Sequence, residues 1–269
     1  LAKYVALVFP KFLLNTPEFS TTRAELAQKS VDAILDFGEK GFPGILVETI
    51  AIFINNLAAP ANTKVFSLTH RLHLTQPQAY IFDPELPYWI IYRNQLFDSV
   101  CRKLDFDVFE VFRDRQLTNK LLSSSGELRV LKSRNLSDDG KEILDIPGYD
   151  SYISYAAAKP LSVFQYLDAS NVYLTPNMTY KPRMMKKPPH CVVNGSLAIL
   201  IPKGGIVPTE KQLAYFSSEE YRAFYQIARN FQTRSLNVDA CSVFFYGLLR
   251  DEAKPAPEKF DTSVQLSFL

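Results

Sequence analysis

Runs of apolar residues separated by polar turns predict an α/β arrangement at the start of the chain. Tyr4–Phe9 is continuously apolar and ends at Pro10, which is typical of a parallel strand buried on both faces. Thr16 and Pro17 offer an N-cap and a proline at the first helical position. We therefore expect a helix from there to about Lys29.

Two further strands are predicted at Val31–Phe37 and Val47–Ile54, with a glycine-rich loop, Gly38–Gly44, between them. The two strands are close enough in sequence to pair antiparallel at the edge of a sheet. The order strand, helix, strand, loop, strand is the one expected for the last part of an α/β sheet.

After a linker-like stretch at Ala58–Asn62, short strands, turns and scattered prolines replace the longer apolar runs. Helices are predicted at Asn94–Lys103 and Ser218–Asn230, and we place a domain boundary between residues 58 and 110. The strands predicted beyond it are Leu128–Leu131, Asn171–Leu174, Cys191–Val193 and Leu197–Ile201.

Composition indicates a soluble globular protein, because 47% of the residues are apolar and 22% are charged. The longest apolar runs, such as Ile50–Ile54 and Tyr88–Tyr92, fall far short of the roughly 20 residues that a membrane span needs. The three cysteines, Cys101, Cys191 and Cys241, fit neither a disulfide framework nor a Cys-x-x-Cys metal site. These features predict a cytoplasmic protein that does not associate with a membrane.

Basic residues are concentrated in two regions of a chain whose net charge is only +2. Residues 111–135 contain six basic and two acidic side chains, and residues 177–187 contain four basic and no acidic ones. Basic regions in a nearly neutral chain favour a polyanion as the partner, although solvated loops are the alternative interpretation.

No sequence motif supplies a complete active site. The sequence has no Walker loop, no His-Glu-x-x-His, no Gly-x-Ser-x-Gly and no cluster of metal ligands. Gly38, Gly41 and Gly44 do not have the spacing of the dinucleotide-binding fingerprint. We therefore predict no metal site and no catalytic residue in this chain.

Several segments, taken in their order, resemble a known family. Tyr4–Leu14 is an apolar strand followed by apolar-Pro-x-x-Leu, Gly38–Gly44 is a loop that carries Phe42, and Val47–Ile54 is the next strand. This order is similar to that of the adenine-N6 DNA methyltransferases of restriction-modification systems, in which a catalytic domain precedes a target-recognition domain. The segments that resemble the recognition domain are Asp107–Lys120, Gly126–Leu136, Tyr173–Arg183 and Thr233–Val238.

The resemblance implies an α/β fold in three parts. Residues 1–58 would be the C-terminal part of a Rossmann-like methyltransferase sheet, residues 59–110 a connecting region, and residues 111–269 a mixed α+β DNA target-recognition domain. S-adenosylmethionine would be the methyl donor. The family's glycine-bearing cofactor loop and its Asn/Asp-Pro-Pro-Tyr/Phe tetrapeptide are not found here, since Pro188-Pro189 lies between Lys187 and His190. The cofactor would therefore be bound mainly by a missing N-terminal half, and this chain alone is expected to be inactive.

In the family, a phenylalanine in the loop that Gly38–Gly44 resembles stacks on the extruded target adenine, and Phe42 occupies that place. A base inside a duplex must leave the stack before its amino group can accept a methyl group, and an aromatic ring on its face offsets part of the lost stacking. Packing of Phe42 in the core is the alternative interpretation.

The residues predicted to bind DNA combine cations with amides. Arginine reads guanine, glutamine and asparagine read adenine, and lysine mainly holds phosphate. The predicted set is Arg113, Arg115, Gln116, Asn119, Lys120, Lys132, Arg134, Asn135, Tyr180, Lys181, Arg183, Lys186, Lys187, Arg234 and Asn237.

Three hypotheses follow for function. The first is the C-terminal portion of a site-specific adenine-N6 DNA methyltransferase. The second is a non-catalytic DNA specificity subunit that works with a separate methyltransferase chain, and the third, a nuclease, has little support. The expected partners are double-stranded DNA, the missing catalytic half or a separate catalytic subunit, and a cognate restriction endonuclease.

Overall fold

The structure, a computed structural model, describes residues 2–42, 44, 46–233 and 237–251. It is a mixed α/β protein whose sheets contain both parallel and antiparallel strand pairs. Of the described residues, those up to Arg102 and from Gln226 to Thr233 form unit 1, and those from Lys103 to Tyr225 and from Asn237 to Asp251 form unit 2. The functional domain limits at residues 58 and 110 stay a prediction.

Unit 1 is built around a five-stranded sheet with short helices. A 3₁₀ turn, Pro17–Phe19, precedes the first helix, so the helix expected after Thr16 is confirmed. The elements in this part of the chain are β1 (Tyr4–Pro10), α1 (Ser20–Ala27), β2 (Ser30–Gly38), β3 (Thr49–Asn55), β4 (Asn62–Ser67), β5 (Leu72–Pro77), α2 (Gln78–Ile81) and α3 (Gln95–Lys103).

The strand order of this sheet is β1-β3-β2-β4-β5. β3 is antiparallel to both β1 and β2, so the predicted antiparallel pairing of the strands around the glycine-rich loop is confirmed. β3 is an inner strand, however, and not the edge strand that we predicted. β4 runs parallel to β2, and β5 pairs antiparallel with β4.

The prediction of a first strand that is parallel and buried on both faces is wrong. β1 lies at the edge of the sheet and pairs antiparallel with β3. Alternate side chains, those of Tyr4, Ala6 and Val8, are exposed. A continuous apolar run does not distinguish a buried strand from an edge strand with one exposed apolar face.

The two faces of the sheet differ in burial. On the inner face, Ile52 of β3 lies in register with Leu7 and Ile34, and Ile52 and Ile34 are fully buried. On the outer face, Phe53 is 40% exposed, while Tyr4 and Val8 are 66% and 56% exposed. The outer face is therefore apolar but uncovered at the β1 side.

Unit 2 contains three smaller sheets and most of the remaining elements. A four-stranded antiparallel sheet has the order β11-β10-β13-β7, a three-stranded sheet has the order β12-β8-β9, and β14 pairs with β6. These elements are β6 (Leu104–Asp105), β7 (Phe109–Phe112), β8 (Leu128–Leu131), β9 (Ser151–Ile153), α4 (Tyr155–Ala158), β10 (Tyr173–Pro176), β11 (Met185–Lys186), β12 (Cys191–Val193), β13 (Leu197–Pro202), α5 (Glu210–Tyr215), α6 (Glu219–Ala228) and β14 (Leu248–Leu249).

One apolar core holds the two larger sheets of unit 2 together. It includes Val130 of β8, Leu174 of β10, Val192 of β12 and Ile199 of β13, all at most 1% exposed. The predicted strands at 128–131 and 191–193 are confirmed with the same limits, and those at 171–174 and 197–201 are confirmed with shifted ends. The two predicted helices correspond to α3 and α6.

A buried ion pair closes the end of the unit 1 sheet where β1 and β2 finish. Lys11 directly follows β1, is 1% exposed, and its Nζ lies 2.7 Å from Asp36 Oδ2 near the end of β2. The Tyr92 hydroxyl donates to the same oxygen at 2.5 Å, and the Gly38 N–H donates to Asp36 Oδ1 at 2.9 Å. Burial is the main cause that raises the pKa of Tyr92 well above its ordinary value, and the negative charge of Asp36 is the second cause. Glu48 lies 3.9 Å from Lys11 and completes the network.

Removal of the cation should destabilise the protein strongly. Lys11→Met leaves the carboxylate of Asp36 buried beside a methyl group, so we expect the free energy of unfolding to fall by about 3–5 kcal/mol. Lys40→Met is the matched control because Lys40 is exposed on the loop that follows β2, and there we expect a change within about 0.5 kcal/mol. Urea unfolding measures both variants, and equal small effects would contradict the structural role of Lys11.

Candidate nucleic-acid interface

Phe42 lies on the loop that leaves the carboxyl end of β2, and it is 46% exposed. Gly38 begins this loop with a φ of 55°, and a Cβ at that position would lie 2.2 Å from Thr69 Oγ1. A Cβ at Gly41 would lie 2.2 Å from Thr49 Oγ1. The glycines therefore let the loop pass close to its neighbours, and the loop presents Phe42 toward solvent rather than into the core.

A cleft of about 390 Å³ lies at the same end of the sheet. Its lining includes Lys11, Glu48 and the rings of His70 and Phe231, whose centroids are 4.8 Å apart. Partial burial and the nearby charge of Lys11 lower the pKa of His70, so its ring is mostly uncharged at neutral pH. Residues 38–40 also line the cleft, two positions before Phe42. Rings and hydrogen-bonding groups together suit a planar heterocycle.

In unit 2 the two basic regions converge at the carboxyl ends of several strands. The Asn194 N–H donates to Leu131 O, the Ser133 N–H donates to Ser196 Oγ, and the Asn177 N–H donates to Ser196 O, so the turn at 194–196 connects loops from both sheets. A Cβ at Gly195 would lie 2.4 Å from Asp114 O, so the loop after β7 packs closely against this turn. We call residues 113–117, 132–135, 177–183, 194–196 and 237–238 the loop cluster.

The loop cluster carries six basic side chains and one acidic one. The acid, Asp114, is 7% exposed and accepts hydrogen bonds from the N–H groups of Gln116 and Leu117, so it caps the loop. Arg113 is partly exposed, and burial and the charge of Arg115 lower its pKa. The exposed side chains of the cluster are Arg115, Gln116, Arg134, Met178, Tyr180 and Lys181.

Four of the residues predicted to bind DNA use their side-chain polar groups for contacts within the protein. Lys187 is 3% exposed, and its ammonium donates to Leu167 O and Pro188 O. Arg183 donates to Lys181 O, Ser133 O and Leu136 O. Burial lowers the pKa of both side chains. Asn135 is fully buried, and Lys132 donates to Tyr149 O and to Ser151 Oγ. These four side chains hold loops together, and we leave them out of the interface.

The remaining predicted residues have different surroundings. Asn119 and Lys120 are exposed on a 3₁₀ turn outside the loop cluster, and Arg234 lies outside the described residues. Lys186 pairs with Tyr173, the first residue of β10, whereas Asn177 follows the last residue of that strand. The two residues therefore lie at opposite ends of β10. Asn237 belongs to the cluster, where its Oδ1 accepts from Asn177 Nδ2 at 2.8 Å.

Sequence reasoning missed two buried polar residues that organise these surfaces. Lys11 was recognised only as part of an apolar-Pro-x-x-Leu segment, and Asn177 only as the start of a basic region. Each follows a strand directly after a proline. A polar residue at the end of an apolar strand is the available signal, because strand ends are where sheets place functional side chains.

Among the described residues, no helix has both the length and the apolar character that a membrane span requires. These residues also contain no group of three or more histidine, cysteine, aspartate or glutamate side chains arranged to hold a metal ion.

No protein-family model matches the sequence, and the search of curated proteins found no match. Among solved structures, the chain is similar to the type IIG restriction endonuclease BpuSI, with 9% sequence identity and a TM-score of 0.33. The match covers 91% of this chain and 39% of the other, so this chain spans about two-fifths of the length of that neighbour.

Proposed function

We propose that this chain is the C-terminal portion of a site-specific adenine-N6 DNA methyltransferase of a restriction-modification system. Unit 1 would complete the catalytic sheet and support extrusion of the target base. Unit 2 would be the target-recognition domain, and the loop cluster would be its DNA-binding surface. The chemistry would depend on a catalytic half that this chain does not contain.

The observation that carries this proposal is the exposed Phe42 on an anchored loop at the carboxyl end of β2. Ligands of α/β sheets bind at this edge. The Lys11–Asp36 network fixes the start of the loop through the Gly38 N–H, four residues before the ring. A loop whose start is already fixed would lose less entropy when a base stacks on Phe42. The adjacent cleft would receive the extruded heterocycle.

The uncovered outer face of the sheet supports a catalytic partner. Tyr4, Val8 and Phe53 leave apolar area exposed on this face, and an exposed apolar patch indicates a site of interaction. β1 is also an edge strand, and such an edge offers hydrogen-bonding groups to a further strand. Both features suit a sheet that continues in another polypeptide segment.

The glycine-rich loop of this chain does not have the arrangement expected for binding S-adenosylmethionine. The glycine-rich loop at 38–44 joins two antiparallel strands and does not lead from a strand into a helix, which is the arrangement that binds nucleotide-like cofactors. The cofactor and the Asn/Asp-Pro-Pro-Tyr/Phe tetrapeptide would therefore come from the catalytic half. In this proposal the present chain contributes base stacking and DNA recognition.

A non-catalytic specificity subunit is the second candidate function. It is favoured by unit 2 having a core and a basic loop cluster of its own. The gene sequence upstream of Leu1 distinguishes the two. An in-frame Asn/Asp-Pro-Pro-Tyr/Phe identifies one enzyme, and a stop codon beside a separate methyltransferase gene identifies a subunit.

Loss of the stacking ring should weaken base extrusion. In the complete enzyme, with 2-aminopurine at the target adenine, Phe42→Ala should lower the extruded fraction relative to the stacked fraction by roughly 5- to 150-fold, since one base–aromatic stack contributes about 1–3 kcal/mol. Phe42→Trp should preserve extrusion. Leu57→Ala is the control, because Leu57 is 64% exposed and follows β3 at the other end of the sheet. Fluorescence that is unchanged in Phe42→Ala removes this residue from the proposal.

DNA binding by the 269-residue chain should depend on salt and on the exposed cations of the loop cluster. Arg134→Gln should lower affinity for all duplex sequences alike and reduce the slope of log K against log salt by about 0.9, the contribution of one phosphate contact. Lys211→Gln is the control, since Lys211 is exposed on α5, outside the cluster. Fluorescence anisotropy at several salt concentrations measures the slope for each protein. An Arg134→Gln slope equal to that of the wild type would contradict the assignment of this surface.

A further inference from the structure

Asn177 connects separate segments of unit 2 through one buried amide. It is 5% exposed and follows β10. Its Nδ2 donates to Asn237 Oδ1 at 2.8 Å and to Gly195 O at 3.2 Å. Its Oδ1 accepts from the Val238 N–H at 3.0 Å and from Arg113 Nη1 at 3.4 Å. Both polar atoms of this side chain are therefore used to hold neighbouring loops.

The sheet brings Arg113 to the same edge as Asn177. β7 and β10 are both antiparallel to β13 and are therefore parallel to each other. Their carboxyl ends thus lie at the same end of the sheet's strands. Arg113 follows β7 and Asn177 follows β10. Arg115, two positions after Arg113, is exposed, and the Asn177 amide contacts Arg113 rather than Arg115.

This arrangement suits an arginine that reads a base edge. A guanidinium group recognises guanine by two parallel hydrogen bonds to O6 and N7, which requires a fixed plane. Phosphate contact requires only a nearby positive charge. Asn177 contacts one end of the Arg113 fork and also donates to Asn237, so one buried side chain joins the loop of Arg113 to the segment of Asn237.

We propose that Arg113 reads a guanine in the major groove and that Asn177, itself held by Asn237, is the positioning residue that orients the Arg113 guanidinium for this contact. The recognised sequence then contains a G·C pair. The proposal rests on the proposed DNA-binding function and assigns one base pair of its specificity to one side chain.

The test is selection of bound duplexes from a randomised pool by the full 269-residue chain at one fixed salt concentration. Arg113→Ala should lose the preference for guanine at a single position by roughly 5- to 150-fold. Arg113→Lys should retain affinity without restoring that preference, because an ammonium group cannot bind guanine as a planar fork. Arg115→Ala is the matched control and should lower affinity for all sequences alike.

Positioning is tested by Asn177→Ala and, because that residue is buried, by Asn237→Ala, which removes one partner and keeps the amide. Both variants should weaken the preference at the position that Arg113 reads, and adding Arg113→Ala to either should cause no further loss of preference there. An unchanged preference in Asn237→Ala and in folded Asn177→Ala overturns the positioning role.

The outcomes for the two proposals differ. A wild-type chain that binds no duplex contradicts the proposed function itself. A wild-type chain with a sequence preference that survives Arg113→Ala, or an Arg113→Ala variant that loses affinity uniformly, contradicts only the assignment of guanine to Arg113.

Discussion

The ion pair between Lys11 and Asp36 is the constraint on which the proposed extrusion site depends. A carboxylate that is fully buried must be paired and hydrogen-bonded, and Asp36 is held by Lys11, Tyr92 and the Gly38 N–H. The pair therefore joins the residue after β1 to the end of β2 and fixes where the following loop begins. Without that anchor, the glycine-rich loop would have more conformational freedom to lose before a base could stack on Phe42.

The sequence pattern predicts most strands of this protein but not their neighbours. Strands at 31–37, 47–54, 128–131 and 191–193 are recognisable because apolar residues are bounded by turn residues. The edge position of β1 was not predictable, since its apolar run looks the same whether a partner covers it or not. β4 and β5 were missed because several of their buried positions are polar, namely Thr63, Ser67 and Gln76, so the apolar pattern is weak. Pairing is a non-local property, and turn chemistry alone does not determine it.

The candidate site shows the same limit at the level of single residues. Lys186 and Lys187 are adjacent and chemically identical, but Lys186 is exposed in β11 while Lys187 turns inward to bind main-chain carbonyl groups. Charge clustering predicted where the basic loops lie, and the fold determines which cations remain outside. Asn177 is the opposite case, because a single neutral amide produces no signal in charge or periodicity, and only the loops that meet there reveal its role.

The two proposed working residues, Phe42 and Arg113, are supported by the same physical device. Each is a large side chain on a loop at a strand end, and each loop is fixed by a buried polar group whose hydrogen bonds are made inside its own unit, Asp36 in one and Asn177 in the other. Buried polar groups are costly unless they are satisfied, so such anchors tolerate few alternative loop conformations. That intolerance would help in the proposed function, because loops that are already ordered lose less conformational entropy when they contact an extruded base. Rigid loops at strand ends thus connect the packing of each unit to the DNA contacts proposed for it.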